Sequence, residues 1–304
     1  MGEPTLVVEK DVAVPMRDGV VLRADVFRPA ASGTYPVILQ RTPYNKSLTL
    51  ISMLMLDVMR TASEGYVVVI QDSRGRYASD GEFYVFRDDI ADGYDTVEWC
   101  AVQPWSDGNV GMYGASYVGA TQWLAAISKP PHLKAIYPGV TASDYHEGWT
   151  YQGGAFSLGF NVSWTLEALV DRNFAHFHRL GTLADSDRES LMTAVDETDI
   201  AFRALPLNNQ PRLSHKLAPY YYEWLEHPDD DDYWKRWRIE DFHSVITAPS
   251  LNLGGWFDIF LMGTIRNYTG MRANGGSDES RSGARLLIGP WSHTSIGTNQ
   301  VATV

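Results

Sequence analysis

Cysteine is almost absent: Cys100 is the single thiol in 304 residues. No intrachain disulfide can form, which excludes the disulfide-stapled design of small secreted domains. Within Thr96-Val97-Glu98-Trp99-Cys100-Ala101 it suits a helix face, so a small core residue is expected there rather than a nucleophile. Positive charge is also scarce. The 25 Lys and Arg stand against 37 Asp and Glu, and a formal charge of −12 argues against nucleic acid, whose phosphates require a clustered basic surface. No apolar run approaches the roughly 18 residues that a membrane-spanning helix needs, so no membrane partner is expected. Met1-Gly2-Glu3-Pro4-Thr5 lacks the basic and apolar regions of a secretory leader, and a cytoplasmic location is the resulting expectation.

What is present suits a large soluble domain carrying an insertion: 44% hydrophobic and 20% charged residues. Strand formers at Leu6-Val7-Val8-Glu9 and Val12-Ala13-Val14, a turn at Arg17-Asp18-Gly19 and a second run from Val20 to Phe27 predict an antiparallel hairpin. Short, largely β-branched runs follow at Pro36–Leu39, Tyr66–Ile70, Val110–Tyr113, Leu133–Tyr137, Ser250–Leu253 and Arg285–Ile288, the pattern of strands buried on both faces. Helical stretches lie between them, from Leu48 to Glu64 with Ser47 as N-cap, and from Asp89 to Val102. The alternation predicts an α/β fold, a mostly parallel sheet flanked by helices. From about Tyr145 to Asp241 tryptophans, tyrosines and long polar side chains take over. This predicts a helical cap over residues 145–240, inserted between an α/β portion of residues 1–144 and a second of residues 241–304. Asp229-Asp230-Asp231-Asp232 is expected to be a solvated turn or helix start, with a calcium loop as the sharper alternative.

The segment Val110-Gly111-Met112-Tyr113-Gly114-Ala115-Ser116-Tyr117-Val118-Gly119-Ala120 reads as strand, sharp turn and helix. A serine at such an elbow has an exposed hydroxyl and tolerates only small neighbours, here Gly114 and Gly119. The generic Gly-x-Ser-x-Gly pattern fails at Val118, so the spacing is Gly-x-Ser-x-x-Gly. A second Gly-x-Ser at Gly275-Gly276-Ser277 has no strand before it and is expected to be a plain loop.

Serine needs an imidazole to take its proton and a carboxylate to set that imidazole's tautomer. In the α/β-hydrolase fold these follow the serine in the order acid, histidine, each after a later strand. Asp258 in Gly254-Gly255-Trp256-Phe257-Asp258 and His293 in Gly289-Pro290-Trp291-Ser292-His293 meet that order. Among the eight histidines, His146 is the competitor, placed just beyond a strand; His132, His215, His227 and His243 read as surface residues. His176 and His178 are two apart in a predicted helix and point to different faces, so they form no metal pair. Neither a metal nor another cofactor is expected.

With these segments in view, the chain resembles the cocaine esterase-type branch of the X-Pro dipeptidyl-peptidase family of α/β-hydrolases. Arg41-Thr42-Pro43-Tyr44, Gln71-Asp72-Ser73-Arg74-Gly75-Arg76, Asp92-Gly93-Tyr94-Asp95-Thr96-Val97-Glu98-Trp99, Gln103-Pro104-Trp105-Ser106 and the three segments around Ser116, Asp258 and His293 carry the likeness. It also accounts for Val118, since the family's elbow has its second glycine one place later. The resemblance implies a serine hydrolase acting through an acyl-enzyme, with Ser116, Asp258 and His293 as triad. The oxyanion hole would use the Tyr117 backbone N–H and the Tyr44 hydroxyl. Tyr44 also follows the strand Pro36–Leu39, where such hydrolases place an oxyanion donor. Asp72, Arg74 and Arg76 are read as a structural charge network under the nucleophile.

Family members that prefer α-amino acyl groups carry carboxylates just after the triad acid; here Ile259, Phe260, Leu261 and Met262 follow Asp258. The expected substrate is therefore a small-molecule carboxylic ester with an aromatic or bulky apolar acyl group. Trp149, Trp164 and Phe260 are its candidate walls, and core packing is the competing reading for both tryptophans. Two alternatives stand: an X-Pro peptidase or α-amino acid ester or amide acylase using the same triad, for which Asp144 or Glu147 would hold the ammonium, and a silent binding domain on the same fold. The resemblance also implies that the family's C-terminal jelly-roll β domain is absent from this chain. Uncovered apolar surface and a possible homo-oligomer are the expected consequences.

Overall fold

The β-branched runs become strands of one sheet. In the computed structural model, residues 5–48, 55–170, 174, 176–178, 180–210, 213, 215–296 and 298 are described. The strands are β1 (Leu6–Pro15), β2 (Val21–Pro29), β3 (Tyr35–Thr42), β4 (Val67–Asp72), β5 (Ser106–Ala115) and β6 (Leu133–Gly139), then after a small hairpin of β7 (Tyr151–Gln152) and β8 (Ala155–Phe156), β9 (Leu251–Phe257) and β10 (Arg285–Ser292). Eight of them pair in the order β1-β2-β4-β3-β5-β6-β9-β10. β1 and β2 are antiparallel, as is β2 against β4; every other neighbouring pair is parallel. All six residues of β4 are buried, as an interior strand covered on both faces requires.

Helices Asp89–Ala101 and Tyr117–Ile127 pack against the sheet, and Cys100 lies in the core, where burial pushes its thiol up. The helix expected from Leu48 is shorter. It is helical from Val58 to Ser63, with Asp57 accepting the Arg60 N–H; residues 49–54 of the expected span lie outside the described residues. Ser47 and Leu48 instead donate their N–H groups to Asn45, closing a turn that leaves no helical start there.

Between β6 and β9 the chain is mostly helical, with elements at Leu158–Ser163, Trp164–Val170 (a π-helix), Asp185–Asp196, Thr198–Arg203, Pro219–Glu226, Asp232–Lys235 and Ile239–Val245 (3-10). The β7–β8 hairpin, turning at Gly153-Gly154, is unexpected; its two-residue strands are too short for alternation to reveal. In the acidic run Asp231 caps the short helix by accepting the Tyr233 N–H. No cluster of three metal-ligating side chains occurs among the described residues, and no described helix is long and apolar enough to cross a membrane.

Candidate active site

β5 hands directly into helix Tyr117–Ile127 through Ser116, whose backbone sits at φ 62°, ψ −127°. A non-glycine residue in that region is strained and must be held by its surroundings. Ser116 N–H donates to Gly139 O at 2.9 Å, pinning the turn to the end of β6. The glycine spacing follows from packing. Val118 folds over Gly114, where a Cβ would meet Val118 Cγ1 at 2.1 Å. One residue later the helix crosses β6, and a Cβ on Gly119 would approach Gly139 O to 2.9 Å. Glycine is therefore demanded at 119 and not at 118.

Asp258 and His293 come from the loops after β9 and β10. His293 Nδ1 lies 2.6 Å from Asp258 Oδ2, and His293 Nε2 lies 2.9 Å from Ser116 Oγ. Asp258 Oδ1 accepts the Phe260 N–H at 2.7 Å. Both carboxylate oxygens thus act as acceptors, so the ring proton sits on Nδ1 and Nε2 is free to accept from the serine. Asp258 is buried, whereas the His293 side chain is 28% exposed and open to an incoming molecule.

Aromatic side chains run round this group. Phe260 meets the His293 ring edge-on at 5.2 Å and stacks on Trp149 at 4.3 Å. Trp149 meets Trp164 at 5.3 Å, and Trp164 Nε1–H donates to the Tyr44 hydroxyl at 3.0 Å. Tyr44 in turn meets the Tyr117 ring edge-on at 6.4 Å. All eight expected site residues, Tyr44, Ser116, Tyr117, Trp149, Trp164, Asp258, Phe260 and His293, are brought together. Phe160, from the cap helix Leu158–Ser163, was not foreseen; it stacks on Trp164 at 5.5 Å and faces Phe260 at the same distance. Its lone place in an aromatic-rich segment carries no local signal that would have singled it out.

The Tyr117 phenol points away from the carbonyl site and into the body. It donates to Asp89 Oδ2 at 2.7 Å and accepts the Phe86 N–H at 2.8 Å. Its backbone N–H, at the first position of the helix, has no intrahelical acceptor. Beneath the elbow Arg41, fully buried, pairs with Asp89 at 3.1 Å and donates to Gln71; Arg74 grips Asp92 and Asp18. Burial pushes the Asp89 carboxyl up, against the lowering effect of Arg41 and the Tyr117 hydroxyl. Arg74 therefore belongs to a charge network, and Arg76 donates to the backbone carbonyls of Pro43, Ala168 and Leu169.

Other candidates lie elsewhere. His146 stacks on Tyr151 at 4.8 Å and its Nε2 meets Pro228 O at 2.8 Å, inside the cap and away from Ser116. His243, expected on the surface, is buried and paired with Asn267 at 3.1 Å, and burial lowers its pKa. The reason is a slot opened by Gly270, where a Cβ would lie 2.1 Å from the imidazole. Of the two acids proposed for an ammonium, Asp144 already has a cationic partner. Asp144 Oδ2 pairs with Arg238 at 3.1 Å and its Oδ1 accepts the His146 N–H, while Glu147 accepts the Gly153 N–H.

A largely parallel sheet of this order, with a serine at the strand-to-helix elbow and its acid and histidine after the last two strands, defines an α/β-hydrolase. The chain belongs to the X-Pro dipeptidyl-peptidase (S15) family, whose profile matches residues 18–295. It is 37% identical over 292 residues to a cocaine esterase of Rhodococcus sp. (strain MB1 Bresler), covering 95% of this chain and 49% of that protein. Among solved structures, a CocE/NonD family hydrolase from Staphylococcus aureus is 26% identical with a TM-score of 0.69, covering 95% of this chain and 47% of that one. An aminopeptidase from a marine sediment archaeon shares the fold, with a TM-score of 0.70 at 21% identity, over 96% of this chain and 49% of its own. The chain spans about half the length of the curated relatives it matches.

Proposed function

We propose that this chain is a serine hydrolase that cleaves carboxylic esters with aromatic or bulky apolar acyl groups through an acyl-enzyme. The observation that carries the reading is the continuous hydrogen-bonded chain from Ser116 Oγ through His293 to the buried Asp258, with its serine on a strained elbow. His293 Nε2 takes the Ser116 proton as Oγ bonds to the carbonyl carbon. Charge moves onto the carbonyl oxygen, where the Tyr117 N–H and the Tyr44 O–H are the donors. Trp164 Nε1–H, donating to the Tyr44 oxygen, polarises that phenol toward giving up its own hydrogen bond. As the intermediate collapses, His293 returns the proton to the departing alkoxide, and water repeats the sequence to free the acid.

Substrate class follows from what surrounds the triad. Phe260 and Trp149, both buried and stacked on each other, make the side of the site next to His293 apolar, and Asp144 is already paired with Arg238 while Glu147 accepts the Gly153 N–H. An α-amino group would lose its hydration there without a countercharge, at a cost of several kcal/mol. The relative named cocaine esterase points the same way. A serine-directed aryl phosphonate tests the mechanism: one adduct per chain, mapped by mass spectrometry to Ser116, is expected. An adduct elsewhere, or none on folded protein, refutes it.

A further inference from the structure

In the segment Asp72-Ser73-Arg74-Gly75-Arg76 the reaction uses none of the three charged side chains; Arg74 grips Asp92 and Asp18, which leaves Asp72 and Arg76. Both reach the loop carrying Tyr44, from opposite sides. The Asp72 carboxylate accepts the Lys46 backbone N–H at 2.7 Å, two residues after Tyr44. Arg76 Nε–H donates to the Pro43 carbonyl at 2.8 Å, one residue before it. The main chain is tied in register as well: Ser73 N–H donates to Thr42 O at 2.9 Å, and Tyr44 N–H to Thr42 Oγ1 at 3.0 Å.

Arg76 does a second thing. Its guanidinium, fully buried and lying over the Phe83 ring at 4.6 Å, also donates to Leu169 O at 2.9 Å and Ala168 O at 3.4 Å. Those carbonyls belong to the π-helix Trp164–Val170, and Trp164 at its head donates to the Tyr44 hydroxyl. The contacts form a closed circuit from Arg76 to Pro43, along the chain to Tyr44, across to Trp164, and down the helix back to Arg76. A planar fork carries donors on three separate nitrogens in fixed directions and so sets the spacing of the two backbone segments it holds; an ammonium, with its three donors on one rotatable nitrogen, sets no such spacing.

We propose that Asp72 and Arg76 are positioning residues for Tyr44: they clamp its loop on both sides, and Arg76 sets the register between that loop and the cap helix bearing Trp164. The inference rests on Tyr44 being an oxyanion donor. A phenol works in that role only if its oxygen is aimed before charge develops, and about 1 Å of misplacement is enough to forfeit roughly 100-fold in rate. Asp72 and Arg76 act through Tyr44 and not on the ground-state substrate, so their loss belongs mainly in turnover.

The test is a double-mutant cycle on an aryl ester, with folding followed by circular dichroism and the fraction of reactive Ser116 by phosphonate titration. Arg76→Lys is expected to lower kcat by roughly 10- to 100-fold with KM within about twofold of the parent. In the Tyr44→Phe background the same change should lower kcat little further, because the donor being positioned is gone. A parent-like kcat in Arg76→Lys, or an equal loss in both backgrounds, overturns the proposal. Should Tyr44→Phe alone leave kcat unchanged, the oxyanion reading fails first, a separate and recognisable result. If Arg76→Lys does not fold, Asp72→Asn decides by the same cycle: it is nearly isosteric but weakens the bond to the Lys46 N–H, and its loss of kcat must appear only where Tyr44 is present.

Discussion

Replacing Asp258 by asparagine alters one terminal atom and should lower turnover by about four orders of magnitude. The argument turns on the second carboxylate oxygen. Oδ1 accepts the Phe260 N–H at 2.7 Å, so in Asp258→Asn the amide oxygen must stay there; turned the other way, two N–H donors would face each other at that distance. The amide NH2 is then forced toward His293, 2.6 Å away in the parent. Facing a donor, Nδ1 must become the acceptor, and the ring proton moves to Nε2. That atom lies 2.9 Å from Ser116 Oγ and can no longer take its proton. In triads of this kind the wrong tautomer costs roughly 10⁴ in turnover, about 5.5 kcal/mol of transition-state stabilisation. Steady-state hydrolysis of a phenyl ester measures it, with KM expected near the parent value and thermal stability within about 1 kcal/mol, since shape and hydrogen-bond count are kept. A kcat within tenfold of the parent would refute the role of Asp258 and the tautomer argument with it.

Phenyl or benzoyl esters should have a higher kcat/KM than α-amino acid esters of similar size, as a substrate panel would show; the reverse order would mean that the cap supplies an acidic subsite outside Asp144 and Glu147. Burial pushes the Asp72 carboxyl from 3.8 up to about 6, outweighing the hydrogen bond from the Lys46 N–H. The folded chain then holds this proton more tightly than the unfolded one, so the contribution favours folding below about pH 4 and is lost as pH rises through about 6. Compared with the parent, Asp72→Asn should thus gain up to about 3 kcal/mol on going from about pH 4 to 7, read from urea midpoints; a parallel pair of curves contradicts it. Trp256, Phe257, Ile259 and Met262 are 61, 48, 58 and 61% exposed around the loop that bears Asp258. Apolar surface so grouped should drive concentration-dependent association that Trp256→Ser with Met262→Ser relieves; a monodisperse parent in sedimentation velocity at about 100 µM would show otherwise.

Much of this molecule is written in local pattern. The β-branched runs identify six of the eight main strands because a strand buried on both faces leaves little room for polar alternation, and the turn at Arg17-Asp18-Gly19 between strand formers identifies the other two. The elbow is legible because Gly114 and Gly119 mark where a side chain would strike Val118 or Gly139, and chain order then leads to Asp258 and His293. Ser116 and His293 are separated by 177 positions, yet the fold's strand order predicts their meeting.

What tertiary structure alone decided is which partner each polar group finds. Asp144 was a candidate cation site by composition, but the fold brings Arg238 against it; His243 was a surface residue by context, but Gly270 opens a slot that buries it. Arg76 lies in a motif that reads as one more member of a charge cluster, and nothing local says that its fork also holds the carbonyls of Pro43, Ala168 and Leu169. Propensity and periodicity are set by neighbours a few positions away, whereas the desolvation of a charge and the choice of its partner are set by whatever the folded chain packs against it.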